Sequence, residues 1–329
     1  MVRFGIEFLA NEPADKLADM IRFSEENGIE FAWITDHYNN RDCFSLLTYI
    51  AARTSTIKLG TGVTNPYTRT APQLASAIAT VNEVSGGRAV FGIGPGDKMT
   101  FENLGVQWTR PLQMVRETVE VVKQLTAGES VSYNGNVVSI KKAKLNFGKR
   151  AVPVYIGAQG PGMLRLAGEL GNGALVNASH PRDFEFAVKL LKEGAASDTD
   201  RDFSQFDVGA YTSFSVAENR EKAVAAARPV VAFITAGSPP DVLKRHGIPQ
   251  EDSTRLNEAF KKGFKRAVQE VTDDMIMAFS ICGTPGDCIE QIHELIEAGV
   301  TQIVVGSPIG PDRTEAIKLV GKDIIPAMG

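Results

Sequence analysis

Cysteine and histidine are scarce in this 329-residue chain, which has three of the first and four of the second. Cys43, Cys282 and Cys288 are too few for a disulfide framework and suit a reducing compartment, so a cytoplasmic protein is expected. His37, His180, His246 and His293 lie far apart, and neither C-x-x-C nor H-E-x-x-H occurs; no metal site is expected. No apolar run approaches the ~18 residues that a membrane span needs. Glu7 and Glu12 interrupt the segment where a secretory signal would place its apolar stretch. The formal charge is −4 and no segment is dense in Lys or Arg, which argues against a nucleic-acid partner. The G-x-x-x-x-G-K-[ST] loop of nucleotide triphosphatases is missing. With no Pro/Gly/Ser-rich linker and no low-complexity tract, residues 1–329 read as a single domain.

What remains is ordinary globular composition, 43% apolar and 22% charged, arranged in an alternation of short apolar strands and helices. Strands are expected at Val2–Phe8, Phe31–Thr35, Ile57–Gly62, Arg88–Ile93, Val152–Gly157, Ala174–Asn177, Val208–Val216 and Gln302–Gly306. Helices are expected between them, among others at Asp15–Asn27, Phe44–Thr54, Pro72–Val84, Pro111–Thr126, Pro161–Leu170 and Arg182–Ala196. The strands are continuous apolar runs, as parallel strands covered on both faces are. Eight such units point to a (β/α)8 TIM barrel. Two insertions interrupt the rhythm: about 129–150, where Val131–Phe147 reads as a hairpin around Asn134-Gly135, and about 228–278, part of a helical stretch from Glu218 to about Met277.

In such a barrel the chemistry sits at the C-terminal strand ends. Glu7 interrupts an apolar strand. Desolvation there would raise its pKa and let it act as a general acid, whereas exposure or an Arg partner would make it an ordinary strand-end residue. Asp36 and His37 follow the second strand, either to grip a polar ligand or as a helix cap beside a satisfied imidazole. Asp97 is a candidate of the same kind, with a plain turn residue as its alternative. Gly92-x-Gly94-x-Gly96 misses the dinucleotide fingerprint, because Asp97 stands where the third glycine belongs. Gly157-Ala158-Gln159-Gly160 leaves a strand and enters a helix at Pro161, a setting that suits either a phosphate or a simple turn.

These residues carry a resemblance. LGTGVTNPYTRTAPQLASAIATVNEVSGGRAVFGIGPGD (Leu59–Asp97) is similar to the signature of the bacterial luciferase-like superfamily. Together with FGIEF, WITDHY, GVTNPY, GIGPGD and GAQGPG it resembles the coenzyme F420-dependent methylenetetrahydromethanopterin reductases, over nearly the whole chain. The resemblance implies the luciferase-like barrel, the 5-deazaflavin coenzyme F420, and reversible reduction of N5,N10-methylene-tetrahydromethanopterin, or its tetrahydrosarcinapterin counterpart, to the N5-methyl form in methanogenesis from CO2. It implies Glu7 as the carboxylate that protonates the imidazolidine bridge. It implies coenzyme contacts from Asp36, His37, Asp97 and Asn177, a phosphate loop at Gly157, Ala158, Gln159 and Gly160, and a non-proline cis peptide at Gly62-Val63 behind the ring. Charge alone, not the resemblance, suggests Lys98 or Arg69 as the cation that would meet the coenzyme's acidic tail. A dimer or tetramer of the chain is expected. Other F420- or FMN-dependent dehydrogenases and monooxygenases of the superfamily, or a flavin-binding barrel without turnover, are the alternatives.

Overall fold

A computed structural model describes residues 2–197 and 202–329. Eleven strands form among them: β1 (Arg3–Phe8), β2 (Phe31–Ile34), β3 (Lys58–Thr61), β4 (Ala89–Ile93), β5 (Val131–Asn134), β6 (Ser139–Ala143), β7 (Val154–Gly157), β8 (Gly173–Val176), β9 (Asp207–Val216), β10 (Ile281–Gly283) and β11 (Gln302–Ile309). Seven of the eight expected strands appear within two residues of their expected ends; β11 runs three residues past Gly306 to Ile309, and the hairpin β5–β6 forms but ends at Ala143, short of the expected Phe147. Two compact units divide the chain. One holds Gly5–Val176 with Lys189–Val208; the other holds Asn177–Val188 and Gly209–Gly329 with the first residues of the chain.

In the first unit, parallel strands run in the order β1-β2-β3-β4-β7-β8. Their register aligns Glu7 with Trp33 and Trp33 with Gly60. Farther along, Gly92 aligns with Tyr155. Aligned residues share a face of the sheet. The Phe31 and Trp33 rings stack at 5.9 Å, and Trp33 meets Tyr155 of β7 at 5.3 Å. Strands β2 and β7 are three spacings apart, about 14 Å along a flat sheet. Contact between their rings therefore requires the sheet to curl, with these rings on its concave side. Glycine makes the room: a Cβ on Gly60 would lie 2.4 Å from the Trp33 ring. Glu7 is on this same face, partly exposed.

Helices return the chain between these strands. Pro72 sits in the first turn of Ala71–Val84, where Thr70 and Gln73 form a capping box. Pro111 and Pro161 open Pro111–Thr126 and Pro161–Leu170, both with the expected limits. The hairpin turn is longer than the two-residue Asn-Gly turn the sequence suggests. Gly135 donates to Val138 O at 2.9 Å. The loop is held by a residue of Pro111–Thr126: the Glu117 carboxylate, 1% exposed, accepts the N–H groups of Asn136, Val137 and Val138 at 2.7, 2.9 and 2.6 Å.

In the second unit β9 pairs in parallel with both β10 and β11. The expected helical stretch Glu218–Met277 is instead five helices: Arg220–Gly237, Pro240–Arg245, Gln250–Lys262, Phe264–Gln269 and Asp273–Phe279. Pro239, Pro249 and Gly263, the last at φ 130°, punctuate it. Val231, Leu243, Leu256, Met275 and Phe279 form its core. Strand β10 and the helix Pro285–Glu297 were not expected. A three-residue strand is too short to read as an apolar run. The helix did carry a signal, Thr284-Pro285 with Asp287 completing a capping box.

Candidate active site

Where β2 ends, the chain places Asp36 and His37. Asp36 Oδ2 accepts the Thr64 hydroxyl at 2.6 Å and Arg69 at 2.7 Å. Arg69 also donates to Asp42 Oδ2 at 2.5 Å, and its guanidinium lies 5.0 Å from the centroid of the Phe44 ring. Burial disfavours the Arg69 charge, but Asp36 and Asp42 outweigh it and hold its pKa above the ordinary value. Burial likewise works against Asp42, yet hydrogen bonds from Ser45 and the Arg69 cation keep its carboxyl below the usual range. Arg69, one of two cations expected to meet an acidic tail, is thus committed to two carboxylates. The other, Lys98, is exposed and 3.6 Å from Glu102.

His37 Nδ1 is 2.6 Å from Asn39 Oδ1, and its Nε2 is 3.5 Å from Thr100 Oγ1. Asp97 caps the short helix Lys98–Asn103, which was not expected, and accepts the Thr100 N–H at 2.8 Å. The Thr100 contacts, with His37 nearby, lower its pKa despite partial desolvation. Asp36, His37, Val63, Arg69 and Asp97 line a cleft of about 230 Å³ that Tyr38 and Phe101 also border. Asn65 stiffens its rim by accepting the N–H groups of Tyr67 and Thr68 at 2.9 and 3.0 Å.

The Gly62-Val63 peptide bond is cis. The Val63 side chain fits between two loops: a Cβ on Gly94 would lie 2.8 Å, and one on Gly157 3.2 Å, from Val63 Cγ2. Bare glycine at both positions is what lets the loops after β3, β4 and β7 close on one side chain. The loop from Gly157 runs through Ala158, whose N–H donates to Leu175 O at 3.0 Å, and Gln159 to Gly160, the N-cap of Pro161–Leu170. Nothing lies within 4 Å of a Cβ built on Gly160. A ten-residue helix therefore presents its N-terminus beside open space, a setting that favours an anion. A planar ring with a phosphate arm fits this arrangement of polar cleft and glycine cradle.

The structure therefore gathers Asp36, His37, Val63 and Asp97 around one cleft, with Gly157 against Val63. Glu7 is on the concave face that carries Trp33 and does not line that cleft. Asn177 directly follows β8 in the chain and belongs to the second unit. Thr64 and Arg69 were not read as partners of Asp36, since 28 and 33 residues separate them in sequence. Among the described residues no group of three or more His, Cys, Asp or Glu is placed to hold a metal ion, and no helix is long and apolar enough to cross a membrane.

The profile of the luciferase-like monooxygenase family matches residues 2–302. A 5,10-methylenetetrahydromethanopterin reductase of Archaeoglobus fulgidus is 51% identical, covering 99% of this chain and 100% of its own. One of Methanolobus tindarius is also 51% identical, covering 98% and 99%. The structure of a coenzyme F420-dependent tetrahydromethanopterin reductase from Methanopyrus kandleri superposes with a TM-score of 0.95 at 46% identity, covering 100% of this chain and 99% of that one. The fold is accordingly the expected (β/α)8 luciferase-like barrel with insertions. On the family profile and on identity near one half over the full length, this chain belongs to the luciferase-like family and, within it, to the methylenetetrahydromethanopterin reductases.

Proposed function

We infer that the chain is a coenzyme F420-dependent methylenetetrahydromethanopterin reductase. It reversibly converts N5,N10-methylene-tetrahydromethanopterin, or the tetrahydrosarcinapterin form, to the N5-methyl compound, a step of methanogenesis from CO2. The observation that carries this reading is the 51% identity to two named reductases across 98–99% of the chain. When bound, the reduced deazaflavin supplies the hydride.

The protein's own part is orientation and a proton. Glu7, on the concave face beside Trp33, holds a proton on its carboxyl and gives it to the bridge nitrogen of the pterin, opening the ring that carries the methylene carbon. Asp36 and His37, braced by Thr64, Arg69 and Asn39, bind the coenzyme in the cleft, with Asp97 closing its far side. Gly62 and Val63 back its ring. The loop Gly157, Ala158, Gln159 and Gly160 takes its phosphate on the N-terminus of Pro161–Leu170. Asn177 joins this set on its motif alone. Holding the two rings in fixed register accounts for most of the rate, since orientation alone is worth on the order of 7–11 kcal/mol in well-aligned systems. The enzyme works in the cytoplasm as a homo-oligomer, a dimer or tetramer.

The test is anaerobic mixing of the protein with reduced coenzyme F420 and the methylene pterin. Coenzyme reoxidation only when both are present is the expected result. Oxygen consumption with reduced FMN and no pterin reaction would replace this reading with a monooxygenase. Silence in both assays would leave a flavin-binding barrel.

A further inference from the structure

Two aromatic side chains tie the loops around the cleft to one strap. Between the short helix Lys98–Asn103 and Pro111, residues 104–110 form no strand or helix. They are mostly exposed, but Trp108 is half-buried. Its indole N–H donates to Pro95 O at 2.7 Å. One residue on, Thr109 O accepts the Tyr67 hydroxyl at 2.8 Å. Pro95 belongs to the loop after β4, whose Gly96 and Asp97 line the cleft. Tyr67 belongs to the loop after β3, whose Asn65, Thr68 and Arg69 line the same cleft. Buried Phe101 fills the space between these loops. Its ring is 5.2 Å from that of Tyr67, and a Cβ on Gly96 would overlap it. The strap ends at Arg110, which has φ 46° and caps Pro111–Thr126. A left-handed residue other than glycine costs roughly 1–2 kcal/mol and persists only where its surroundings hold it. The bonds at Trp108 and Thr109 hold the chain just ahead of it.

A bond between two loops fixes their spacing only when its ends are anchored. The strap is anchored by Pro111–Thr126, which packs against Ala71–Val84. The Tyr67 end is anchored by Asn65, which accepts the N–H groups of Tyr67 and Thr68. Neither Tyr67 nor Trp108 lines the cleft itself. Their effect on a bound molecule therefore passes through the loops that do. We propose that Tyr67 and Trp108 are positioning residues which, through this strap, hold the loops after β3 and β4 at the spacing that binds the coenzyme. A cleft held ready in its bound shape binds more tightly, because less order has to be imposed when the ligand arrives. The same bonds touch no reacting atom, so they act on affinity and leave the chemical step alone. The proposal rests on the functional reading above for the identity of the coenzyme.

The experiment compares the wild type, Trp108→Phe, Tyr67→Phe, the double variant and Tyr133→Phe. Each is titrated with oxidised coenzyme F420 and, in parallel, with FMN, is melted thermally, and is assayed for pterin reduction at saturating coenzyme. Both strap substitutions keep a ring and remove one donor. Tyr133 is the control: it is half-buried like Tyr67, but its hydroxyl donates to Glu120 from the hairpin β5–β6. Each single strap variant should bind the coenzyme roughly 3- to 10-fold more weakly, the worth of one neutral hydrogen bond, with kcat within about 2-fold of wild type at saturation. Both bonds hold one segment, so the double variant should lose less than the product of the single losses. Tyr133→Phe should lower the melting temperature comparably and leave coenzyme affinity unchanged. Wild-type affinity in both single variants would overturn the proposal, as would a loss confined to kcat. A double loss equal to the product would overturn the shared strap, and equal weakening by Tyr133→Phe would reduce the effect to general destabilisation. A wild type that binds the coenzyme without reducing the pterin refutes the functional reading alone. One that binds FMN instead also refutes that reading, and the FMN affinities then decide the role of the strap; binding of neither overturns both.

Discussion

Replacing Glu117 should loosen the inserted hairpin and destabilise the fold, and the size of the loss follows from its contacts. The carboxylate accepts three backbone N–H groups of residues 136–138 and the Gln113 amide at 2.7 Å. Hydrogen bonds to a charged group are worth about 1.5–3 kcal/mol each when the partner stays buried. The turn residues are exposed or half-buried, so water takes up part of what is lost. Contacts to one carboxylate are also not additive. Glu117→Ala should therefore cost about 3–5 kcal/mol in all, and Glu117→Gln about 2 kcal/mol, since its oxygen still accepts while its amide faces donors. With an unfolding entropy of about 2.1 cal/mol/K per residue, the alanine loss is a fall of roughly 4–7 °C in melting temperature if the chain unfolds in one step.

Hydrogen exchange at residues 136–138 should accelerate in both variants, while the concave-face core around Trp33 stays protected. The pH dependence gives a second check. Burial works to raise the Glu117 pKa, but Gln113 and the three N–H groups prevail and hold it below the ordinary value. A depressed carboxylate stabilises the fold fully above its unfolded pKa and progressively less as pH falls through its folded pKa. The gap in stability between wild type and Glu117→Ala should thus narrow as the solution is acidified below the ordinary carboxylate range. A melting temperature within 1 °C of wild type at neutral pH would refute the reasoning.

Other perturbations separate chemistry from scaffolding. Glu7→Gln should lower turnover by ~10² to 10⁴, the usual contribution of a general acid, with coenzyme affinity nearly unchanged; a fully active variant ends that assignment. Arg69→Met leaves Asp36 and Asp42 without their shared cation, and calorimetry should show a loss of about 2–4 kcal/mol together with weaker coenzyme binding. Unchanged binding would mean that Asp36 holds its place without help. Gly157→Ala puts a methyl group 3.2 Å from Val63 Cγ2, and should cost about 1–3 kcal/mol and weaken coenzyme binding; wild-type values would show that the loop yields freely.

Local signals made much of this fold readable. Pro111 and Pro161, each at a first helical turn, marked where their helices begin, because proline fixes φ and needs no donor there. Continuous apolar runs marked the parallel strands, since both faces are covered. The (β/α)8 class followed from the rhythm alone. Features made by distant residues were not readable. The Arg69 bridge to Asp36 and Asp42, and the Glu117 carboxylate under the hairpin, depend on loops meeting in space. Strand β10 gains its identity from Phe214–Val216 alongside it, not from its own three residues. The candidate site shows the same division. Motifs pointed to Asp36, His37, Asp97 and the Gly157 loop, whereas the concave placement of Glu7 needed the register with Trp33.

The fit of Val63 between Gly94 and Gly157 has a consequence for redesign of the mouth. Three loops, each free to vary on its own strand, share one isopropyl group as a common spacer. Bulk added at 94 or 157 has to be matched by bulk removed at 63, so these positions should change as a set. A library that randomises any one of them singly would sample mostly misfits, and a compensated Val63→Ala, Gly94→Ala pair would be the economical place to begin.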